Sequence, residues 1–289
     1  FFQFYNLNIM MNVYLKLRKL AYRLVWFLEK KLKSDLYLSN SRTIIDMQPE
    51  NTFSKNFNNF TTSLKSNLVV KAGPFSGLQY PDSVSFGSSL YPKLIGSYEI
   101  ELEEYILDFI EKKYDNIYVV GCAEGYYCNG FGIRSANSKI YCFDISKDAV
   151  ETCNKMSILN NIENNVISLN EEFDLSKLDS SIGGKTLIVC DIEGAEAALF
   201  EEHKMKKLKN IDLLIEVHDF QSVGLTKYFI DLFNKTHKIK QIFSVDDLYR
   251  PMVYENRKLT PNNLTYNENY RLMKEYRKAQ MSWLILNAT

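Results

Sequence analysis

Apolar and polar positions alternate in two different periods along residues 99–289, and they predict a sheet flanked by helices. Short apolar runs, many of them β-branched, recur between polar segments, as expected of strands that are buried on both faces. Between these runs, apolar residues follow helical spacing, for example at 101–113 and at 146–161, where Ser146 is a suitable cap. Seven strands are predicted, at 116–121, 139–144, 166–170, 186–191, 212–219, 239–245 and 281–287.

This alternation of strands and helices predicts a doubly wound α/β fold with a mostly parallel sheet, because parallel strands need right-handed crossover helices. Ligands of such sheets bind at the carboxyl ends of the strands, near the point where the strand order reverses. Three strand ends carry acidic side chains: Asp144, Asp191 and the stretch 216–219. We therefore expect these side chains to face one crevice.

Two segments precede the predicted α/β domain, which spans 98–289. Residues 1–34 contain a predicted basic amphipathic helix, with leucines at helical spacing and seven Lys or Arg. Such a helix can lie on an anionic membrane surface or pack on the domain or on the second subunit of a homodimer, and we favour packing. Residues 35–97 are polar, and their Gly, Pro and aromatic residues predict a loop-rich extension that covers the core or lines a cleft.

Composition limits the classes of function. The 289 residues include 35 Lys and Arg and 35 Asp and Glu, so the chain has no global basic field for nucleic acid. No apolar run approaches the ~20 residues that span a bilayer. We expect a cytoplasmic protein whose partner is a small molecule or glycan. Five cysteines form no C-x-x-C pair and are predicted to be reduced and buried: Cys122, Cys128, Cys142, Cys153 and Cys190.

The first predicted strand ends in the turn "VVGCAEGYY", which suits a nucleoside ligand. Gly121 and Gly125 permit a tight turn and close approach of the backbone to a ligand, and the following helix offers free N–H groups. Asp144 ends the second strand 23 residues after Gly121. A carboxylate at this position can accept both hydroxyls of an adenosine ribose.

Two residues of the turn favour S-adenosylmethionine (SAM) over NAD. A dinucleotide site expects a second glycine where this chain has Ala123. The neighbouring Glu124 would repel a pyrophosphate, whereas it would attract a sulfonium and an amino group. An NAD-type oxidoreductase and a non-catalytic scaffold at a membrane surface are the alternatives.

The fourth strand runs into an acidic cluster, "LIVCDIEGAEAALF" at 187–200. Methyl transfer to an alcohol requires removal of a proton, and Asp191 at the strand tip or His218 beyond the fifth strand is the expected base. Glu193 and Glu196 would shape the acceptor pocket, although Glu196 also suits the start of a helix. Asp219 is expected to orient His218.

A divalent cation is a further alternative for these strand ends. Asp191, Glu216, His218 and Asp219 carry suitable ligand atoms. No H-x-H or similar spacing supports a metal site. We therefore expect none.

Four segments in this order, "VVGCAEGYY", "YCFDIS", "LIVCDIEGAE" and "LLIEVHD", resemble class I SAM-dependent methyltransferases of the FkbM type. The stretch "DIEGAE" at 191–196 matches the Asp-x-Glu-Gly-Ala-Glu signature of that family, and the resemblance covers about residues 70–289. Two positions depart from it. Val119 stands where the family often has Asp, and Glu124 where it usually has Asn.

The resemblance implies a seven-stranded Rossmann-like methyltransferase sheet whose seventh strand is antiparallel and lies between the fifth and the sixth. It implies SAM as cofactor and a hydroxyl of a sugar or another small-molecule or cell-envelope precursor as acceptor. Glu275 and Arg277 are expected to form an ion pair beside the seventh strand or a solvated helix face. The expected cofactor residues are Gly121, Cys122, Ala123, Glu124, Gly125, Asp144, Ile145, Asn170, Glu171 and Asp191, and the expected catalytic residues are Asp191, His218 and Glu193.

Aromatic residues are abundant, with 19 Tyr and 18 Phe, and some of them are candidates for a platform on which a ring-shaped acceptor stacks. We expect most of these candidates to be ordinary core or surface residues. They are Phe75, Tyr80, Tyr91, Tyr126 and Tyr127.

Overall fold

A computed structural model describes residues 53–178, 184–277 and 279–289. The chain divides near residue 50, and the described residues belong to the body formed by Glu50–Thr289. The basic helix predicted within 1–34 lies outside the described residues, as does the first part of the predicted extension at 35–97. The domain boundary at residue 98 stays a prediction.

Seven strands form one sheet with the order β3-β2-β1-β4-β5-β7-β6. The chain first builds outward from β1 to β3 and then crosses over to place β4 on the other side of β1, so the order reverses between β1 and β4. The strands are β1 (Asn116–Val120), β2 (Lys139–Phe143), β3 (Val166–Leu169), β4 (Thr186–Cys190), β5 (Asp212–Val217), β6 (His237–Phe243) and β7 (Ser282–Ala288).

Strand direction confirms the predicted doubly wound, mostly parallel sheet. The pairs β1–β2, β1–β4, β2–β3 and β4–β5 are parallel. β7 is antiparallel to both of its neighbours, β5 and β6, and lies between them. This arrangement is the seven-stranded Rossmann-like methyltransferase fold.

Helices and turns connect these strands. β1, β2 and β3 are joined by α4 and α5, while α6 and α7 lie between β4 and β5. The helices are α1 (Lys55–Ser66), α2 (Leu90–Ile95), α3 (Glu103–Glu111), α4 (Tyr126–Arg134), α5 (Lys147–Leu159), α6 (Glu196–Leu199), α7 (Met205–Leu208), α8 (Leu225–Phe233), α9 (Arg250–Val253) and α10 (Tyr266–Met273). As predicted, the Ser146 hydroxyl caps α5 by accepting a hydrogen bond from the Ala149 N–H.

The apolar runs of the sequence form the centre of the sheet. Every residue of β1 and β5 is buried, as expected of strands that are covered on both faces. Ile188, Ile215 and Leu284 are fully buried in one cluster with the aromatic residues of α8. All five cysteines are free and buried, which confirms the prediction of reduced, buried thiols.

Residues 53–97 hold helices as well as loops, and they pack on the sheet domain. Ser54 caps α1 by accepting from the Phe57 N–H, and its own N–H donates to Glu268 at 2.7 Å. α2 ends at Gly96, which has a φ of 83°. A side-chain carbon at Gly96 would lie 2.4 Å from the Ala72 carbonyl, so only glycine permits this close approach of two backbone segments.

The candidate aromatic residues form packing contacts rather than a stacking platform. Phe75 lies edge-on to the rings of Tyr126 and Phe131, at centroid distances of 5.2 and 5.3 Å. A carbon added at Gly130 would come within 2.4 Å of the Phe75 ring. Phe75, Tyr80, Tyr91 and Tyr126 are all buried. As expected for most of these candidates, they are ordinary core residues, and Phe75 and Tyr126 belong to an aromatic core between the N-terminal segment and α4.

Within the parts of the chain that the structure describes, no helix combines the length and the apolar character that crossing a bilayer requires.

Candidate functional site

The turn after β1 brings the carboxyl ends of β1 and β4 into contact. Gly121 has a φ of 84°, and a side-chain carbon there would lie 1.7 Å from the Asp191 carbonyl oxygen. The Asp191 N–H donates to the Val120 carbonyl at 3.0 Å. The absence of a side chain at Gly121 therefore allows the turn to lie directly against the tip of β4.

Gly125 closes the same turn and begins α4. It has a φ of 99°, and a carbon added there would lie 2.4 Å from Asn129 Nδ2 and 2.6 Å from Cys153 Sγ. Ala123 also has a positive φ, 47°. The side chain of Cys122 is buried rather than open to solvent. The turn thus offers mainly its backbone to the crevice.

Asp144 lies beside this turn, as the sequence predicted. Its Oδ2 accepts from the Ala123 N–H at 2.9 Å, and its Oδ1 accepts from the Ser146 N–H at 2.8 Å. A carboxylate oxygen has two acceptor sites, so each oxygen keeps one for a ligand hydroxyl. Asn170 Nδ2 donates to the Asp144 carbonyl at 3.1 Å.

The two remaining residues predicted at the adenine flank the same strand ends. The Ile145 side chain is 55% exposed, which is unusual for an isoleucine next to a buried strand. Glu171 pairs with Lys177 at 2.8 Å. The structure thus brings Asp144, Ile145 and Asn170 together, whereas the Glu171 carboxylate already has a cation.

Glu124 does not turn its carboxylate towards the crevice, which corrects the prediction that it faces a positively charged ligand. The residue is fully buried and forms an ion pair with Lys93, which is also buried. Its oxygens also accept from the Ser85 hydroxyl at 3.1 Å and from the Phe86 N–H at 3.0 Å. Burying a carboxylate without partners would cost too much free energy, and the ion pair and these hydrogen bonds offset that cost.

The loop 81–89 thereby spans the site from the glycine turn to the tip of β4. At one end, Ser85 and Phe86 bind Glu124. At the other end, a carbon added at Gly87 would lie 3.9 Å from Glu193 Oε1. The sequence left open whether the extension at 35–97 covers a core or lines a cleft, and its loop 81–89 contacts the buried Glu124 and approaches the exposed Glu193.

Three side chains beyond β4 and β5 form what we call the acidic rim: Asp191, Glu193 and His218. His218 Nε2 lies 3.6 Å from both Asp191 Oδ1 and Glu193 Oε2. Glu193 has a φ of 53°, and its side chain is 70% exposed, whereas that of His218 is only 2% exposed. Two separate strand ends thus converge, as predicted.

Glu196, rather than Asp219, faces the other nitrogen of His218. Glu196 is fully buried, and its Oε1 accepts from the N–H groups of Ile192 and Gly194 and lies 3.0 Å from His218 Nδ1. That nitrogen is within reach of the carboxylate but is not aligned for a regular hydrogen bond.

The expectation that Asp219 orients His218 is therefore wrong. The Asp219 carboxylate turns away to accept from the backbone N–H and the hydroxyl of Thr226 at the start of α8. A free N–H in the first turn of a helix is a favourable partner for a carboxylate.

The surroundings of the rim raise the pKa values of two of its residues, Asp191 and His218. Burial raises the pKa of Asp191 to about 7, and repulsion from Glu193 acts in the same direction. Because the Asp191 side chain is still 40% exposed, solvent screening limits the free energy behind this shift. Burial alone would lower the pKa of His218, but Glu196 more than offsets it, so that pKa is raised.

The guanidinium of Arg277 lies beside the rim, and its side chain is only 13% exposed. Arg277 binds Glu99, Glu216 and Glu275 at 3.0, 2.6 and 2.7 Å. The expected ion pair between Glu275 and Arg277 is therefore confirmed as part of a larger network. Glu216, at the end of β5, binds Arg277 at 2.6 Å, and burial, together with the neighbouring charge of Asp191, raises its pKa. The sequence signal for this network was the position of Glu216 within the apolar part of β5.

No family model matches the chain. No curated protein matches it either. Solved structures that resemble it include the MccD protein, an rRNA methylase from Streptococcus thermophilus and residues 961–1257 of StiE, which is described as an O-MT. Their identities to this chain are 12%, 13% and 11%. In the same order, the matches cover 65%, 65% and 68% of this chain and 97%, 97% and 75% of the solved chains. Their TM-scores are 0.38, 0.39 and 0.41.

Similarity at this level carries no information about what this chain acts on. The fold assignment rests on the strand order and strand directions of the chain itself.

Proposed function

We propose that the protein is a SAM-dependent methyltransferase of the FkbM type that methylates a hydroxyl group of a small molecule or glycan. The observation that carries the proposal is the contact between Ala123 N–H and Asp144 Oδ2 at 2.9 Å, beside a glycine turn that touches Asp191. A ribose-binding carboxylate, a ligand-accessible backbone turn and an acidic rim thus lie together at the reversal point of the sheet.

The residues of this crevice fit a nucleoside with a positive charge at its far end. Asp144 would hold the ribose hydroxyls with its free acceptor sites, and the exposed Ile145 would pack on the adenine next to Asn170. The turn residues Gly121 and Ala123 would line the rest of the cofactor through their backbone. The acidic rim would then face the sulfonium, which it attracts through opposite charge.

When bound, SAM supplies a methyl group on a sulfonium that loses its charge as the group is transferred. The contribution of the protein to such a displacement is alignment of the acceptor and exclusion of water. The loop 81–89 lies where it would cover the site. Asp191 or His218 would take the acceptor's proton, and the pKa of Asp191, raised by burial to about 7, lies near the range where a base is most effective.

Binding of S-adenosylhomocysteine, the product form of the cofactor, tests the proposal by calorimetry. We expect the native protein to bind it and to bind NAD more weakly. Asp144→Asn should weaken binding by ~10–100-fold, because hydrogen bonds to a charged group contribute ~1.5–3 kcal/mol.

Asp148→Asn is the matched control, because Asp148 is an exposed carboxylate in the first turn of the next helix. It should leave the affinity unchanged. Absence of binding to the native protein, tighter binding of NAD, or equal affinities of the two variants would each overturn the proposal.

A further inference from the structure

Three carboxylates lie close together at the tip of β4. Asp191, Glu193 and Glu196 lie within six positions of one another, and His218 is the basic group that the structure places against all three. The nearby Arg277 is fully engaged by the carboxylates of its own network. Within residues 184–277, where this cluster lies, no Lys or Arg forms an ion pair with the three carboxylates.

Ligand atoms of the acidic rim lie close enough to converge on one ion. One oxygen each of Asp191 and Glu193 and one nitrogen of His218 all lie within 4.8 Å of one another. Two atoms that each bind a metal at ~2.0–2.2 Å can be up to ~4.4 Å apart. Small side-chain rotations would therefore bring the three atoms into coordination, and the exposed Glu193 is free to make them.

His218 provides an observation that is independent of the acidic cluster. The side chain is 2% exposed, its Nδ1 is buried without an aligned hydrogen bond, and its Nε2 lies 3.6 Å from both Asp191 Oδ1 and Glu193 Oε2, beyond hydrogen-bond distance. Asp191 Oδ1 is also buried without a hydrogen-bond partner. Buried polar atoms are rarely left without partners, and the binding of an ion is one recognised reason for such an atom.

The position of Glu196 fits the same interpretation. Histidines that bind a metal through one nitrogen usually present the other to a carboxylate, which fixes the orientation of the ring. Glu196 lies 3.0 Å from Nδ1 and is itself held by two backbone N–H groups. The arrangement Glu196–His218–rim therefore has the order carboxylate, histidine, ligand site.

We propose that Asp191, Glu193 and His218 bind a divalent transition-metal cation, with Glu196 as the group that orients His218. Two carboxylate oxygens and one imidazole nitrogen form a mixed donor set that suits ions such as Mn²⁺. Three protein ligands leave coordination positions open for water or a substrate oxygen. This inference reverses the expectation from sequence that no metal binds, which rested on the lack of an H-x-H spacing.

With the ion bound, Asp191 and His218 would act as ligands and a water molecule would take the acceptor's proton in their place, a step that rests on the proposed function. An acceptor hydroxyl bound to the ion would lose its proton more readily, because a divalent cation lowers the pKa of a bound oxygen acid. Acceptors with two adjacent oxygens would then be preferred, since both can reach open coordination positions. Metal binding itself requires neither SAM nor an acceptor.

Titration of the SAM-free protein with Mn²⁺, followed by electron paramagnetic resonance, tests the site directly. We expect one bound Mn²⁺ per chain. Glu193→Gln should weaken binding at least ~10-fold, and Glu196→Gln by ~10–100-fold through the loss of the orienting carboxylate. His218→Ala should abolish binding, provided that circular dichroism shows the native fold. If His218→Ala does not fold, the Glu193→Gln variant, which changes an exposed side chain, is the test of the metal site.

Glu202→Gln is the matched control, because Glu202 is an exposed acidic residue a few positions further along the chain. It should bind Mn²⁺ as the native protein does. The proposal is overturned if the native protein binds no Mn²⁺ up to ~1 mM, the weak limit of specific cation sites, or if Glu193→Gln binds as tightly as Glu202→Gln. S-adenosylhomocysteine binding is measured separately, so a failure of the metal site and a failure of the methyltransferase assignment give different results.

Discussion

The ion pair between Lys93 and Glu124 offers a sharp test of how the N-terminal segment is fastened to the glycine turn. Both side chains are almost completely buried, with 3% and 0% of their surface exposed. Lys93→Met keeps the length of the aliphatic stem and removes the charged end, whose Nζ lies 4.8 and 5.6 Å from the ring centroids of Tyr98 and Tyr126. The substitution therefore leaves Glu124 buried without its cation.

Removing one partner of a buried ion pair typically costs ~3–5 kcal/mol, because the remaining charge stays desolvated. Three donors would still serve Glu124: the hydroxyls of Ser85 and Tyr80, at 3.1 and 3.4 Å, and the Phe86 N–H, at 3.0 Å. They place the expected loss near the lower end, ~3 kcal/mol. For a body of this size, that loss corresponds to a decrease in Tm of ~6–12 °C.

Urea unfolding followed by circular dichroism measures the loss, and a double-mutant cycle assigns it to the pair. Glu124→Gln removes the other charge while it retains an acceptor for the loop 81–89. The variant that carries both substitutions has no unpaired buried charge, so it should be more stable than Lys93→Met alone, with a coupling energy of ~2 kcal/mol. A loss below ~1 kcal/mol for Lys93→Met, or additive effects in the double variant, would refute this account of the contact.

Other substitutions test the turn, the rim and its surroundings. Gly121→Ala should destabilise the protein by ~3 kcal/mol or more, because it adds backbone strain and a clash with the Asp191 carbonyl. Gly77 has a φ of 94° and open space around it, so Gly77→Ala should cost only ~1–2 kcal/mol. Equal losses of stability in urea would contradict the contact between Gly121 and Asp191. In Glu196→Gln, the pKa of His218 measured by NMR should fall, because burial still lowers it and the charge that raises it is gone. Since a raised histidine pKa stabilises the folded state at low pH, that variant should lose more stability at pH 5 than at pH 8, and an unchanged pKa would exclude the pairing. Arg277→Met should lower the free energy of unfolding by ~3–5 kcal/mol at pH 7 and by less at pH 5, because burial raises the pKa of Glu216 and that carboxylate can take up a proton. A deficit that does not depend on pH would contradict the network.

Local pattern predicted the sheet because strand formation in this fold depends on short apolar runs. β1 and β4 begin where they were expected, and each differs from its predicted range by one residue at its end. Local pattern could not predict the direction of β7 or its place in the sheet, because both depend on pairing with other strands. Those features were expected from the family resemblance rather than from the residues themselves.

The candidate site was partly predictable for the same reason. Asp144, Asp191 and His218 all follow apolar strands, and parallel strand ends share one edge of the sheet. The partners of these groups carry no local signal. Lys93 and Glu124 are 31 positions apart, and the sequence near either one does not indicate the other.

The role of Glu196 shows a second limit of the sequence. A glutamate at the start of a helix is common because of the helix dipole, so its position alone did not separate a structural role from an orienting one. Asp219, adjacent to His218 in sequence, was the obvious partner and proved to serve α8 instead. In the structure, the turn at 191–196 places Glu196, and not Asp219, next to His218.

Arg277 has a consequence for the order in which a newly made chain completes its site. The glycine turn, Asp144 and the acidic rim have all been synthesised once β5 has been made. Glu99 and Glu216 remain without their shared guanidinium until the hairpin that ends in β7 is added, and Arg277 lies 178 positions after Glu99. The strand ends therefore reach their native electrostatic balance only after the segment that carries Arg277 has been synthesised, which is later than the synthesis of the ligand-facing side chains.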